Sequence, residues 1–504
     1  VGIPVAIGLL LGALLLFFPV DSLRGPLERQ LSQATGQKVT IGRLHLKLVG
    51  FGVGLAAEEF QAMATDESQV IRVPELRLGV NLLPLLSRRV EVTRIDAPGL
   101  VLTLQPAIAT PPATPPARPP VVAAAASTLV APDIRITKAR IVQSGLSGTT
   151  LLSGISLTGG FSVTSRGSVF EGLFAADTVS FASAATPDQP LSLPMIEARF
   201  RTDLPADGLT AATTLEGHLG TIPAGGTIGS RAANGRWGHT GQLTFRPTVL
   251  AQVRSLLRGA PGEMLAAYDL GGRLESGELT FQTYTDREEM DYRMTGHLAG
   301  VTASLPGKGR VVDSGDADFE VKPNAAHLAG SFRSGQAALV LDATLANFAA
   351  PRWMARVDLT GPLAEALRFL PPQPDLSVRS GELEAHLSGG GRLGPGHFPE
   401  MNGTIQLRNI ALTHTSIAVP VERLDLDVKL DGRRIDLENG VIRAGASDAR
   451  FNGRIEDWKT PRLDANIQAG TVDLAQLLPE TRAAGASTAA RSTAARSAPG
   501  PPVA

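Results

Sequence analysis

Few residues in this chain have the types and spacing that chemistry needs. Gly389, Gly391 and Gly394 satisfy G-x-G-x-x-G on paper. In a dinucleotide site that pattern opens the helix whose N-terminus holds a pyrophosphate. Pro395-Gly396 follows instead of a helix, so the spacing predicts a turn. Asp425 and Asp427 sit two apart, as carboxylate ligands of a metal sometimes do. They alternate with Leu424, Leu426 and Val428, which places them on the solvated face of a strand. The eight histidines are dispersed, with no H-E-x-x-H, and no G-x-S-x-G elbow occurs. Asn402-Gly403-Thr404 is formally a glycosylation acceptor and reads better as a turn. Cysteine is absent, which excludes disulfides, thiolate catalysis and Cys-ligated zinc. The expectation is a chain that is no enzyme and needs no cofactor or metal.

What does recur is apolar alternation. Leu76, Leu78 and Val80 alternate with Arg77, Gly79 and Asn81. Leu424, Leu426, Val428 and Leu430 alternate with Asp425, Asp427 and Lys429; after the Asp431-Gly432 turn, Ile435 and Leu437 return to the same face. These nine side chains are the candidate site: an apolar lining rather than a reactive centre. A net charge of −1 argues against nucleic acid as a partner. Three Trp and three Tyr are too few for a stacking platform.

The elements that must position this lining follow from the patterning. Leu23, Leu27 and Leu31 form a helical stripe within Asp21–Gly36, where Gly36 fits a C-cap. Period two then takes over. Val39 and Ile41 lead to Leu44, Leu46 and Leu48, with a change of phase at Gly42-Arg43 that predicts a bulge. From about Leu129 to Ile467 short alternating strands dominate, on the order of thirty at about ten residues per strand and turn. Apolar helical segments at Val249–Tyr268 and Leu363–Leu370 each precede an SGEL tetrapeptide, Ser276–Leu279 and Ser380–Leu383. The spacing suggests duplicated modules. The fold class is mostly β: a long, curved, largely antiparallel sheet forming an apolar groove, with a few short helices and an N-terminal transmembrane helix.

That helix is read in Val1–Val20, which carries no charged or strongly polar side chain. Its length matches a bilayer-crossing helix, whereas a cleaved signal peptide has a shorter apolar core and a small-residue cleavage site. The domain organisation is residues 1–20 as anchor, 21–105 as an N-terminal helix and sheet region, and 106–127 as a Pro/Ala-rich linker. Residues 128–400 form an extended sheet body with inserted helices, 401–480 a C-terminal β region and 481–504 a disordered tail. Arg29, Arg43, Arg88, Arg89 and Arg94 could meet anionic headgroups, at about 1 kcal/mol each, or form a solvated edge.

The segment PELRLGVNLLPLLSRRVEVTRIDAPGLVLTL, residues 74–104, resembles the N-terminal region of AsmA-family proteins, as does the helix ending in Ala34-Thr35-Gly36-Gln37-Lys38-Val39. Met401–Pro479, with GTIQLRNIAL, PVERLDLDVKLDGRRIDLENGVIRAG and VDLAQLLP, is similar to the AsmA-like C-terminal region. The resemblance implies a bridge-like lipid transfer protein, anchored in the bacterial inner membrane with its body in the periplasm. Its β groove would carry phospholipid acyl chains toward the outer membrane; membrane lipids and other envelope proteins would be its partners. Two other expectations stand beside it. One is a structural scaffold for outer-membrane protein assembly, with a closed core. The other is an enzyme domain hidden in Leu129–Ala350.

Overall fold

The computed structural model describes residue 21 and, apart from short breaks, residues 24–80, 92–105, 133–256 and 268–471. The expected anchor (1–20), the Leu82–Leu86 segment with Arg88 and Arg89, the linker (106–127) and the tail (481–504) lie outside the described residues. Among the described residues no helix is long and apolar enough to cross a membrane. There the protein is mostly β, with 29 strands and only short helices. It divides into two compact units: one reaches Asp358 and includes Ser388–Pro399, the other comprises Leu359–Leu387 and the chain from Glu400 onward.

The first unit begins with the helix Arg24–Thr35. It ends where Gly36 turns into the left-handed region (φ 68°) and donates its N–H to Ser32 O at 2.9 Å. Leu27 packs on a small core of Ile41, Leu44 and Ala57. The helix also covers a sheet edge. Ser32 Oγ accepts from Val39 N at 2.9 Å, Glu28 Oε1 from Ile41 N at 2.7 Å, and Asp21 Oδ1 from Leu44 N at 3.0 Å. These are donors that an edge strand would otherwise leave open to another chain. The expected change of phase is a break between Lys38–Thr40 and Arg43–Val49, both of which pair with Gly52–Met63 opposite Glu59 in the left-handed region (φ 52°). Val39, Ile41 and Leu44 are all buried, the last two in one cluster with Ala57.

From there to Ala346 each strand pairs antiparallel with a neighbour, with one exception. Val92–Pro98 and Val101–Leu104 lie parallel to Asp133–Gly145. A parallel pair needs a long crossover, and the connection runs through residues outside the description. Full burial is confined to small clusters, such as Ala139–Ile155–Ala176 and Val301–Ala317–Phe332. The core is patchy.

The helical insertions stand where the patterning puts them, and residues 257–267 of the first lie outside the described residues. Leu250–Leu256 follows the strand Thr248–Val249 and precedes Gly271–Tyr284. Leu363–Ala366 and a 3₁₀ turn, Leu367–Phe369, follow Arg352–Pro362 and precede Leu376–Arg392. Each SGEL copy lies in the strand after its helix.

In the second unit Glu400–His414, Val421–Gly432, Arg434–Ala444, Ser447–Ile455 and Leu463–Thr471 pair in succession as an antiparallel meander. Two bulges carry asparagine in the left-handed region, Asn409 (φ 52°) and Asn439 (φ 55°), a conformation that asparagine tolerates better than most residues. Each bulge has a side-chain acceptor: Asn409 N donates to Asp425 Oδ1 at 2.7 Å and Asn439 N to Asn452 Oδ1 at 2.9 Å. The extra residue keeps Leu407 and Ile410 on one face, opposite Leu426 and Leu424.

Candidate functional site

Strand register assembles the apolar residues into rows that cross the sheet of the first unit. One row passes through Leu46, Leu55, Leu78, Ile95, Ile134, Gly159, Gly172, Phe200, Leu215, Gly226, Leu243, Leu279, Met294, Val321, Ala326 and Leu345. Each residue is the Cα partner of the next, and no polar side chain interrupts the series. At ~4.8 Å per strand, sixteen strands make a band of roughly 70 Å measured along the sheet. The neighbouring row runs from Leu157 through Phe174, Ala198, Gly217, Ala224, Phe245, Gly277, Gly296, Phe319 and Leu328 to Ala343.

The other face has the opposite character. Its corresponding row is Thr158, Leu173, Arg199, Glu216, Gly225, Thr244, Glu278, Thr295, Glu320, His327 and Thr344. Ion pairs tie this face together, among them Arg246–Glu216 at 2.8 Å and Arg293–Glu320. His297–Asp318 at 2.8 Å and His327–Asp342 at 3.0 Å belong to the same face, and the Asp318 carboxylate raises the pKa of His297.

The large side chains of the two apolar rows are half-buried, with Phe200 alone below one-tenth exposure. A filled core between two layers would bury them. The band also has a polar flank on its own face. Thr202 and Thr213 share a hydrogen bond of 2.9 Å, and Ser230 Oγ lies 2.9 Å from His239 Nδ1. Near one end, Phe319, Val321, Leu328, Leu345, Trp353 and Met354 line an open apolar depression of about 330 Å³.

Glycines and aromatic rings interlock on this face. A Cβ built on Gly241 would stand 2.2 Å from two ring carbons of Phe281, its cross-strand partner. At Gly296 the ring of Phe319 intrudes at 2.6 Å, and at Gly315 that of Phe332 at 2.4 Å. In the second unit the Phe451 ring stands 2.7 Å from a Cβ at Gly440. The rings lean over glycine instead of standing up from the sheet.

The sequence candidates fall as follows. Leu78 lies in the sixteen-strand row; Leu76, opposite Ala57, packs on the Ile41–Leu44–Ala57 core. Val80 ends the strand Gln69–Val80, and its side chain lies outside the description. In the second unit Leu424, Leu426, Val428 and Leu430 meet Ile410, Leu407, Ile405 and Gly403. On the other side Leu430 faces Ile435 and Val428 faces Leu437. The row of Leu430 and Ile435 continues through Ile455 to Leu463, and that of Val428 and Leu437 through Gly453 to Ala465.

Asp425 and Asp427 lie on the opposite face, each held by arginine. Asp425 accepts from Asn409 N and, at 2.7 Å, from Arg423 Nε; both hold its carboxyl below the usual range, the backbone N–H more strongly. Asp427 is lowered first by the Asn439 amide at 2.9 Å and then by Arg408. Neither is a free ligand oxygen pair, and no group of three His, Asp or Glu among the described residues could hold a metal ion. Gly389 and Gly391 lie inside the strand Leu376–Arg392, and Gly394 lies outside the description.

No family model, curated protein or solved structure matches the chain.

Proposed function

We propose that this chain is a membrane-tethered lipid carrier of a bacterial cell envelope, a relative of the AsmA family held in the inner membrane by Val1–Val20 with its body in the periplasm. In this reading the apolar band is the floor of a groove that takes phospholipid acyl chains and hands them on toward the outer membrane. The observation that supports it best is the sixteen-strand row from Leu46 to Leu345: uninterrupted by polar side chains, mostly half-buried and backed by a polar face. Each methylene kept from water is worth about 0.8 kcal/mol, so a chain lying on such a floor moves along it without crossing water. Headgroups lie at the polar flank, near Thr202, Thr213, Ser230 and His239. No bond is made or broken in this reading.

A photo-crosslinker at Leu426 or Val428 tests this in the second unit. It is expected to capture phospholipid in cells, whereas one at Asp427, on the opposite face, captures none. Leu426→Asp sets a charge in the groove, at a cost of several kcal/mol to an acyl chain beside it, and impairs transport while the protein is still made and anchored. Crosslinks from Leu426 and Val428 to protein alone would mean a packed core and favour the assembly scaffold.

A further inference from the structure

We infer that the Phe281 ring, laid over Gly241, sets the clearance of the groove. A ring raised at this point would obstruct lipid passage. The inference rests on the acyl-carrier reading and adds to it a positioning pair and a substrate class: flexible, unbranched chains moving over a low floor, not molecules held in a socket. The three atoms nearest to a Cβ on Gly241 are all ring carbons of Phe281, at 2.2, 2.2 and 3.0 Å. The ring therefore occupies the space that any other residue at 241 would claim. Comparable close approaches at Gly296, Gly315 and Gly440 also involve backbone atoms, at 2.6–2.8 Å, so a side chain there would strain the sheet itself. Of these four close approaches, Gly241 is the one where floor height can be changed through a ring alone. Its row partner on the other side is Ile228, beyond which the row runs into Thr213 and Thr202, so the pair stands at the border between the long band, at Leu243 and Leu279, and its polar flank.

Gly241→Ala forces the Phe281 ring off the sheet and into the path of the chains. The Gly241→Ala/Phe281→Ala double variant removes the ring and reopens the path. A merely structural role for the ring predicts the reverse order, because the double variant loses its packing as well. The full chain is followed in cells whose phospholipid is radiolabelled, with a photo-crosslinker at Phe174 or at Leu328, which lie in one row on opposite sides of the Gly271–Tyr284 strand. The expected result is labelled lipid at both positions in the unsubstituted chain. Gly241→Ala should lose it at one position, and the double variant should regain it. If Gly241→Ala does not accumulate, Ile228→Trp raises a ring in the same row and carries the same expectation. Unchanged capture at both positions in the obstructed variant overturns the inference and leaves the carrier reading standing. No capture at either position in the unsubstituted chain overturns the carrier reading, and the inference falls with it.

Discussion

Arg454 reaches across one strand gap and donates from Nε to the Asp436 carboxylate at 2.7 Å. Arg434 donates to the other oxygen at 2.8 Å. Asp436 is buried, yet it is on the polar side: its neighbours Ile435 and Leu437 point to the apolar face. Arg454 first, then Arg434, holds the Asp436 carboxyl below its usual range. A lowered folded-state pKa contributes stability above the unfolded value near ~3.9, lost as pH falls through the folded pKa. Asp436→Asn is therefore expected to lower Tm at pH 7. Melting curves taken between pH 7 and pH 2 should show the gap to the unsubstituted protein closing below about pH 4. A gap that stays constant with pH contradicts the assignment.

Glu75 gives the same test in the first unit. Arg77 at 2.6 Å and Lys47 at 2.5 Å bring its pKa from 4.5 down to about 2. All three side chains are partly exposed, so screening leaves the cluster worth about 1 kcal/mol. Glu75→Gln is expected to cost that amount at neutral pH. In denaturant titrations the cost should vanish as pH falls from 4.5 toward 2.

The helix Arg24–Thr35 works as an edge cover through its side chains. Glu28→Ala removes the acceptor of the Ile41 N–H, which lies beside a buried side chain, at a cost of about 1–2 kcal/mol. Hydrogen exchange at Ile41 should accelerate while exchange in distant strands such as Arg236–Phe245 is unchanged. Equal acceleration everywhere would mean that the helix holds up the whole unit.

The two SGEL copies are not equivalent. Gly381 has φ 120°, and a Cβ there would stand 2.4 Å from Ile410 Cδ1 and 2.6 Å from its Cα. Gly381→Ala is expected to cost about 3 kcal/mol through backbone strain and overpacking. At Gly277 the nearest atoms are side-chain carbons at 3.3 Å and beyond, so Gly277→Ala should cost under about 1.5 kcal/mol. Similar losses in the two variants would contradict this contrast.

Much of the sheet was legible because period two is written residue by residue. Val421–Gly432 shows its faces in the bare alternation of Leu and Asp, and Asp431-Gly432 announces the return of Ile435 and Leu437 opposite Leu430 and Val428. The Gly42 phase change and the Gly36 cap were legible for the same local reason. What alternation does not carry is which strand lies beside which. The parallel pairing of Val92–Pro98 with Asp133–Gly145 depends on a partner more than thirty positions away. The Phe281–Gly241 contact likewise needs cross-strand register. Leu76 shares its strand's apolar pattern with Leu78, but the helix packed near it, not the alternation, makes it part of a core.

The central claim concerns one face of one sheet, and the strand Arg236–Phe245 tests it most directly. Leu243 and Phe245 belong to the apolar rows, while Gln242 and Thr244 point to the polar face. Photo-crosslinkers placed singly at Leu243, Phe245, Gln242 and Thr244 of the full chain in cells should report with period two: phospholipid at Leu243 and Phe245, none at Gln242 and Thr244. Capture without alternation, or protein-only crosslinks at Leu243 and Phe245, would contradict the account.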